Sequence, residues 1–393
     1  GLVNIYSSTY FDNMSFFSFK NPFGKQLIFT LISLIIFLFI LVSDDRFFFR
    51  YSSIIYLIGI ILLIAVLIFG NEVKGAKSWF SLMGFSLQPS EFMKPITALA
   101  LAKYLSNIHS DLKRKSIQLY SFLIVLIPIF LVIIQPDPGT ALIYFSFFFV
   151  LYVIGLPSTY MNIFIWLTIL FITTIVVGKQ NILFIISTLI ISILLIYIYR
   201  KLSFRKFLFY GILSLIFILC VDFIFNEVFE QRHRDRFDIV LGIKEDNRGI
   251  GYNTNQSQLA FKSGGFFGEG FLKGTQTKGD FVPEQHSDYI FATVGEEWGF
   301  FGSILTIILF TILILRMIGR ANTNRNIFNK IVIYSVASIF FFQFAINISM
   351  VIGVFPTVGI PLPFISYGGS SLLASIILFG GYIKLDSVKK EKW

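Results

Sequence analysis

Long apolar blocks recur from one end of this chain to the other, and they constrain its fold more than any other feature. Each block holds about 15–23 residues, enough for a helix rising 1.5 Å per residue to cross a hydrocarbon layer ~30 Å thick. Only 14% of the 393 residues are charged, against about 25% in soluble domains. The sequence therefore predicts an all-α, polytopic helical membrane protein and excludes a disordered chain or an ordinary soluble enzyme.

The blocks predict about eleven spans within a single membrane domain that covers residues 1–393. Their approximate bounds are 26–43, 51–70, 91–105, 119–135, 139–156, 160–177, 182–199, 207–226, 299–318, 331–353 and 365–384. The third is the least apolar because it carries Glu91 and Lys94. Residues 1–8 are interpreted as the tail of a helix whose start is missing.

Lys and Arg are distributed unequally between alternate loops. One set of loops and the C-terminal tail carries 18 of them, and the short loops of the other set carry five. Basic loops stay in the cytoplasm, which predicts a cytoplasmic C-terminus, an external N-terminus for this chain and an external large loop. The net charge of +10 follows from this topology, so no nucleic-acid partner is needed to explain it.

One polar segment, residues 227–298, is far longer than the other loops. Long loops in compact proteins are usually functional or disordered. This one contains aromatic residues and little low-complexity sequence, which indicates an ordered external loop containing short helices.

The end of that loop concentrates acidic residues at the entrance to an apolar span. It reads PEQHSDYIFATVGEEWG and includes Glu284, His286, Asp288 and Glu297. A carboxylate at the rim of a membrane helix is partly desolvated, which makes it a better proton acceptor. Asp is also a preferred helix N-cap. Two interpretations of Asp288 therefore stand, a helix cap and a catalytic acid, and residue type alone favours the cap.

Two further segments place charges at or near membrane depth. Glu91 and Lys94 share a helix face in QPSEFMKP, and such charges usually line a cavity. They form either a structural ion pair or a site in which Lys94 binds phosphate. In QPDPGT, Asp137 is either a turn residue or a site residue.

An arginine-rich segment, QRHRDRFD, follows the span at 207–226. Arg232, Arg234 and Arg236 have the chemistry to hold a diphosphate bidentately. They also suit lipid headgroups or pairing with neighbouring acids, and the charge pattern favours pairing.

Glycine-rich backbone marks two more segments. NQSQLAFKSGGFFGEG contains Gln256, Ser257, Gly264 and Gly265 and is either a phosphate cradle or, as is favoured, a plain tight loop. The segment 354–371 has three prolines and several glycines at membrane depth, a broken backbone that must line a cavity or be buried. Its candidate site residues are Ser366, Tyr367, Gly368 and Gly369.

Taken together, six segments resemble the SEDS family (shape, elongation, division and sporulation), the polytopic glycosyltransferases of bacterial cell-wall synthesis. They are GAKSWF at Gly75–Phe80, QPSEFMK at Gln88–Lys94, QPDPGT at Gln135–Thr140, NQSQLAFKSGGFFGEGFLKGTQ at Asn255–Gln276, PEQHSDYIFATVGEEWG at Pro283–Gly299 and PTVGIPLPFISYGGSS at Pro356–Ser371. GTQ and VGIPLP are similar to the elongation branch rather than the division branch.

The resemblance implies a peptidoglycan glycosyltransferase that polymerises lipid II, an undecaprenyl-diphosphate-linked disaccharide pentapeptide, into β-1,4 glycan strands with inversion. The essential external Asp of the family falls on Asp288, as general base, and its conserved Glu and Lys fall on Glu91 and Lys94. Lys77 and Trp79 lie in the first external loop, where many members have Arg at the position of Ser78.

The same resemblance implies a location in the bacterial inner (plasma) membrane, among membrane lipids. The expected partner is a class B penicillin-binding protein, a transpeptidase, within the elongation complex. No cofactor is required by the sequence, although a divalent cation (Mg or Mn) is one candidate for stabilising the leaving diphosphate.

Three alternatives remain open at this point. The first is the division paralogue of the same family. The second is a lipid II flippase or another lipid-linked precursor transporter, for which polar residues continuing through the inner halves of the spans would be expected. The inner halves here are almost wholly apolar. The third is a non-catalytic scaffold of a synthase complex.

Overall fold

The computed structural model describes residues 1–10, 21–73, 75–82, 85–107, 112–176, 204–228, 231–244, 251–279 and 281–387. The predicted span at 182–199 lies outside these residues. The described chain divides into two compact units, one of residues 1–156 and 253–393 and one of residues 157–252.

Most described residues are helical. In chain order the helices are α1 (Leu2–Thr9), α2 (Pro22–Val42), α3 (Asp45–Phe69), α4 (Pro89–Asn107), α5 (Lys115–Ile134), α6 (Pro138–Ile143), α7 (Ser146–Ile154), α8 (Ser158–Val176), α9 (Phe204–Phe223), α10 (Gln231–Val240), α11 (Tyr252–Gly264), α12 (Thr275–Lys278), α13 (Ile290–Thr323), α14 (Ile327–Val351) and α15 (Gly369–Ser387).

Among the described residues, six helices are long and apolar enough to cross a membrane: α2, α3, α5, α8, α13 and α14. The predicted polytopic helical fold is therefore confirmed. The predicted span 139–156 consists of two short helices, α6 and α7, joined through Tyr144 and Phe145. The predicted span 299–318 begins earlier, at Ile290, because α13 continues through a bend.

A small antiparallel sheet, which the sequence analysis did not predict, connects α3 to α4. Its strands are β1 (Asn71–Val73), β2 (Ala76–Leu82) and β3 (Phe85–Leu87), in that order. Asn71 lies opposite Trp79, and Phe80 lies opposite Leu87. The sheet pairs the backbone groups of a segment that enters α4 directly, at Pro89.

Helix α14 is the central element of the first unit. It contacts α4, α7, α13 and α15, while α2 packs on α15 and α3 packs on α4. In its most apolar stretch 67% of the residues are buried, against 33% or less in the other five candidate spans. Those five therefore present most of their apolar side chains outward, as lipid-facing helices do.

A bend at Gly299 divides α13 into a buried part and an outward-facing part. Gly299 has φ 66° and ψ −161°, outside the helical region. All residues from Ile290 to Glu297 are buried, whereas most of the residues that follow the bend are exposed. The bend thus connects a buried segment that contains Glu296 and Glu297 to a helical segment whose exposed apolar side chains suit lipid.

The second unit has a small core of its own. Leu170 of α8 and Ile218 of α9 are buried, and the partly buried Trp166 packs against them. The Trp166 indole N–H donates to the Ser214 hydroxyl at 3.1 Å. A short π-helix, Ile224–Val228, follows α9 and precedes α10. The described part of residues 227–298 contains α10, α11 and α12, the kind of short helices that the sequence predicts.

Candidate active site

Asp288 lies in a turn, residues 283–289, that immediately precedes α13; we call this segment the Asp288 turn. The N-cap position of α13 is Tyr289, which makes no side-chain cap bond. Asp288 therefore lies one residue before the position that the cap interpretation gives it. Its side chain is neither buried nor fully exposed.

Three consecutive backbone carbonyls of the Asp288 turn are each held by a residue from the C-terminal part of the chain. The carbonyl of His286 accepts from the backbone N–H of Tyr367 at 2.8 Å. The carbonyl of Ser287 accepts from the Ser366 hydroxyl at 2.7 Å, and that of Asp288 accepts from the Asn347 amide at 2.8 Å. We call this set of bonds the carbonyl clamp. It fixes the backbone of the acid without using its carboxylate.

The carboxylate of Asp288 lies beside Gly359, a position without a side chain. A Cβ added at Gly359 would stand 3.4 Å from Asp288 Oδ2, and Gly359 has φ +69° and is exposed. Gly359 belongs to the segment 352–368, which connects α14 to α15 and which we call the Pro-rich loop. The Asp288 carboxylate thus lies beside an exposed position of the loop.

Two non-glycine residues near the clamp have left-handed backbone conformations. Glu284 has φ 58° in the Asp288 turn, and Phe364 has φ 62° in the Pro-rich loop. Such residues cost about 1–3 kcal/mol each and concentrate at functional sites. The strain lies on both sides of the clamp, where the surrounding contacts hold it.

The other polar residues of the turn also have defined neighbours. The Ser287 hydroxyl donates to Glu284 Oε2 at 2.9 Å. The His286 ring lies 5.4 Å from the Tyr367 ring, centroid to centroid. The structure therefore brings the predicted residues Glu284, His286, Ser366 and Tyr367 together around Asp288.

Two more of the predicted segments meet the Pro-rich loop at the same end of the unit. Gln88 Nε2 donates to Asp137 Oδ2 at 2.7 Å, which joins the start of α4 to the start of α6. A Cβ at Gly139 would lie 2.1 Å from the Val358 carbonyl oxygen, so α6 packs directly on the loop. The backbone N–H of Gln88 also donates to the Ser370 hydroxyl at 3.0 Å.

Asp137 is the N-cap of α6. Its Oδ1 accepts from the Thr140 backbone N–H at 3.1 Å, and its Oδ2 accepts from the Thr140 hydroxyl at 2.8 Å. Both carboxylate oxygens are thus engaged, and the turn interpretation describes the residue's environment.

Glu91 and Lys94 form a buried ion pair on α4. Lys94 Nζ lies 2.8 Å from each carboxylate oxygen of Glu91, and the side chains are 1% and 5% exposed. Because its charge is already balanced, Lys94 has the environment of a structural cation rather than of an open phosphate ligand.

The glycine-rich segment packs around the bend of α13. A Cβ at Gly264 would lie 2.1 Å from the Gly295 carbonyl oxygen, and one at Gly268 would lie 2.2 Å from that of Glu297. Gly265 is exposed, and its carbonyl accepts from the Phe300 N–H at 3.0 Å. Of the two interpretations, the less favoured phosphate cradle does not describe Gly264, which packs against backbone, and the favoured tight loop is wrong for residues 255–264, which belong to α11.

Two buried glutamates of α13 bind residues that follow this segment. Glu296 accepts from the backbone N–H groups of Gln276 and Thr277, at 2.6 and 2.9 Å, and from the Thr277 hydroxyl. Glu297 accepts from the Ser7 hydroxyl and, at 3.1 Å, from the Leu272 N–H. The side chain of the predicted site residue Glu297 therefore contacts α1 and the backbone at Leu272.

Helix α11 is docked on the end of α14. The Ser257 hydroxyl lies 2.7 Å from the Val351 carbonyl oxygen and 2.8 Å from that of Thr254. Gln256, its neighbour in sequence, is partly exposed. The predicted site residue Ser257 therefore donates its hydroxyl to backbone carbonyls of the protein.

The remaining predicted residues of the first unit contact nearby helices. Lys77 Nζ donates to the Ile68 carbonyl at 3.1 Å, and Trp79 lies half-buried on β2. The Gly368 N–H donates to Gln26 Oε1 at 3.2 Å. A Cβ at Gly369 would lie 2.3 Å from the Phe29 ring, so α15 begins in close contact with α2.

The arginines of α10 belong to the second unit. Arg234 Nη1 donates to the Asn226 carbonyl at 2.7 Å, Arg236 is half-buried, and Asp235 pairs with Lys244 at 2.9 Å. Arg232 lies on the same helix, but its side chain is outside the described set. The favoured interpretation, in which the three arginines pair with neighbouring acids, stays a prediction.

No group of three or more His, Cys, Asp or Glu side chains is arranged to hold a metal ion within the part of the chain that the structure describes. The predicted Mg or Mn ion therefore has no assigned ligands.

Asn347 is the site residue that the sequence analysis missed. It is fully buried on α14, and its side chain contributes one bond of the carbonyl clamp. A polar amide within an apolar span is itself a signal, because such residues face the interior of the bundle and hold backbone or substrate. The predicted span 331–353 contains both Gln343 and Asn347.

A model of the FTSW_RODA_SPOVE family, described as "Cell cycle protein", matches residues 1–180 and 156–391 of the chain. The chain belongs to the FtsW/RodA/SpoVE family. Among curated members, the peptidoglycan glycosyltransferase RodA of Treponema pallidum is 30% identical over 98% of this chain and 94% of its own length. Peptidoglycan glycosyltransferase MrdB of Escherichia coli K12 is 32% identical over 86% and 78%.

A probable peptidoglycan glycosyltransferase FtsW of Trichlorobacter lovleyi is also 32% identical, over 98% of this chain and 89% of its own. The family membership therefore spans proteins named for both branches.

Solved structures share the fold. One, described as the structural coordination of polymerization and crosslinking by a peptidoglycan synthase complex, matches with a TM-score of 0.69 at 24% identity and covers 93% of this chain and 89% of its own. The rod shape determining protein RodA of Thermus thermophilus matches with a TM-score of 0.60 at 22% identity, over 98% and 91%. At these identities the likeness establishes a polytopic helical membrane fold of this family.

Proposed function

We propose that this protein is a peptidoglycan glycosyltransferase that polymerises lipid II into β-1,4 glycan strands, with Asp288 as its general base. The names of the curated relatives support the activity. The observation that carries the role of Asp288 is its environment: a partly exposed carboxylate on a backbone held at three consecutive carbonyls.

The reaction needs one proton acceptor at a fixed position. The 4-hydroxyl of the acceptor sugar is a weak nucleophile, and Asp288 removes its proton as the oxygen attacks the anomeric carbon of the donor. The new C–O bond forms while the bond from that carbon to the diphosphate oxygen breaks, and the electron pair leaves with the diphosphate. Attack opposite the leaving group inverts an α linkage to a β linkage.

The leaving diphosphate needs positive charge. Lys94 is already paired with Glu91, so we do not assign it this role. Two predictions from the sequence stay open for this role: the arginines of α10, by their charge alone, and a divalent cation supplied from solution. These remain the candidates for stabilising the departing group.

The elongation branch is the proposed branch, on the strength of GTQ at Gly274–Gln276 and VGIPLP at Val358–Pro363. A class B penicillin-binding protein is the proposed partner, and the synthase complex found among the structural neighbours supports such an assembly. The distribution of Lys and Arg supports an external position for residues 227–298 and a cytoplasmic C-terminus.

The proposal is tested by incubating the purified protein with lipid II and a partner whose transpeptidase is inactive, and separating glycan strands on a gel. We expect strands from the wild type and none detectable from Asp288→Asn, since loss of a general base costs about 100- to 10,000-fold. Asp137→Asn is the matched control: it removes a carboxylate at the same end of the unit from a residue engaged as a helix cap. Normal strand formation by Asp288→Asn would refute the base assignment.

A separate experiment tests the branch. Expression of the chain in rod-shaped bacteria depleted of either their elongation or their division polymerase shows which loss it restores. We expect the chain to restore rod shape. If it restored septation alone, the chain would belong to the division branch.

A further inference from the structure

A single side chain of α14 links the Asp288 turn to the Pro-rich loop. The Nδ2 atom of Asn347 lies 2.8 Å from the Asp288 carbonyl oxygen and 2.7 Å from the Ile360 carbonyl oxygen. Asn347 is 0% exposed. Its amide group has two N–H donors on one nitrogen, so it satisfies both carbonyls at once.

The position of these two carbonyls relates them to the reacting group. One belongs to Asp288 itself. The other belongs to the residue after Gly359, whose position lies next to Asp288 Oδ2. The Asn347 amide therefore connects the backbone of the acid to the piece of loop that its carboxylate lies beside, and sets the separation between them.

The helix that carries Asn347 is suited to act as a fixed reference. α14 is the central, most buried candidate span of the first unit, and it contacts α4, α7, α13 and α15. A side chain on such an element moves less than one on a loop. Ser366 and Tyr367, the other members of the carbonyl clamp, belong to the Pro-rich loop and share its motion.

We propose that Asn347 is a positioning residue for polymerisation: it orients the Asp288 carboxylate by holding the Asp288 and Ile360 carbonyls against α14. The inference rests on the proposed function of Asp288. Asn347 contacts no reacting atom; it acts by fixing where the base stands relative to the loop. The rate then depends on how many donor hydrogens the side chain at this position offers.

The test is a series of variants in the lipid II polymerisation assay, with kcat, KM and the melting temperature measured for each. Asn347→Leu removes both donors with little change in volume, and we expect kcat to fall about 100-fold with KM nearly unchanged, the cost of misplacing a catalytic group by about 1 Å. Asn347→Ser keeps one donor. We therefore expect its kcat to fall about 10-fold, between the values of the wild type and of Asn347→Leu.

Gln343→Leu is the matched control. Gln343 lies one turn earlier on the same helix and is 2% exposed, and its Oε1 has no hydrogen-bond partner among the residues that the structure describes. Gln343→Leu removes the same kind of amide from a similarly buried position. Because Gln343 is not part of the carbonyl clamp, we expect the kcat of this variant to stay within about two-fold of wild type. A merely structural role of Asn347 would make kcat follow the melting temperature across all three variants instead of the number of donors.

Two results would overturn the inference: a kcat for Asn347→Leu equal to that of Gln343→Leu, or a loss that only parallels the fall in melting temperature. If Asn347→Leu does not fold, Asn347→Ser decides, and wild-type kcat in that variant refutes the inference. Asp288→Asn separates the two proposals. An active Asp288→Asn refutes the base, whereas an inactive Asp288→Asn beside a fully active Asn347→Leu refutes only the positioning role.

Discussion

Asp288 and Glu296 are carboxylates eight positions apart in the same acidic segment, yet the protein holds them in opposite ways. The backbone of Asp288 is fixed at its own carbonyl and at the two before it, and its side chain is partly exposed. The side chain of Glu296 is 0% exposed and accepts from two backbone N–H groups and a hydroxyl at the start of α12.

The difference separates the two uses of an acid near a membrane. A carboxylate whose oxygens are occupied by the protein stabilises the fold but is a poor proton acceptor for a substrate. Asp288 is held through its backbone, and its side chain is partly exposed. Of these two acids, Asp288 keeps the partial exposure that its proposed role as a general base requires.

The largest expected effect is that of Glu296→Ala on stability. It leaves buried donors of Gln276 and Thr277 without their acceptor, and we expect the free energy of unfolding to fall by about 4 kcal/mol. Equilibrium unfolding in mixed micelles measures it, with Asp288→Asn as the contrasting variant that loses activity and keeps its stability. Equal destabilisation by the two variants would show that both carboxylates stabilise the fold.

Lys94→Met tests whether a third acid, Glu91, belongs with Glu296. The variant leaves the Glu91 carboxylate buried without its cation, and we expect a loss of about 3 kcal/mol. Adding Glu91→Gln to make the double variant removes the unpaired charge, so most of the stability should return. A double variant as unstable as Lys94→Met would show that the buried charge is not the cause.

Gly268→Ala tests the segment that surrounds Glu296. Gly268 has φ +83°, and a Cβ there would meet the Glu297 carbonyl oxygen. We expect a loss of about 2 kcal/mol from the strained backbone and the contact. Gly319→Ala, in the outward-facing part of α13 with nothing near its added Cβ, is the control and should be neutral or slightly stabilising in the same unfolding experiment.

Asp137→Ala has the smallest expected effect. It removes the N-cap of α6 and the acceptor of Gln88, and we expect a loss of about 1 kcal/mol in the free energy of unfolding. Asp137→Asn retains a capping oxygen and should recover more than half of it. A larger loss of polymerisation than of stability in Asp137→Ala would place this residue with Asp288 rather than with Glu296.

The amino-acid sequence predicts most of the membrane fold because hydropathy is a local property. The spans at 26–43, 51–70, 119–135 and 331–353 correspond to α2, α3, α5 and α14 with ends shifted by a few residues. The span 139–156 divides into α6 and α7 at Tyr144 and Phe145. Ser146 is the single polar residue of the run ALIYFSFFFVLYVI at 141–154, which has no Gly or Pro to signal a break.

The candidate site is predictable only in part. The resemblance to the SEDS family indicates Asp288, and the prolines and glycines at membrane depth indicate the Pro-rich loop. The glycines at 264 and 268 look like a ligand cradle because glycine permits close approach to any partner, and only the tertiary structure shows that the partner is α13. Asn347 has no motif of its own, since its role depends on two carbonyls that lie 59 and 13 residues away in sequence.

The carbonyl clamp also determines when during synthesis the acid acquires its environment. Ser366, one of its members, is separated from Ser287 by 79 residues. At about 5–20 residues per second, a ribosome needs roughly 4 to 16 seconds to add those residues. In the later part of that interval α13 (Ile290–Thr323) is complete, while the Asp288 turn still lacks its bonds to Ser366 and Tyr367. The carbonyl clamp therefore forms only after α14 and the Pro-rich loop have been synthesised.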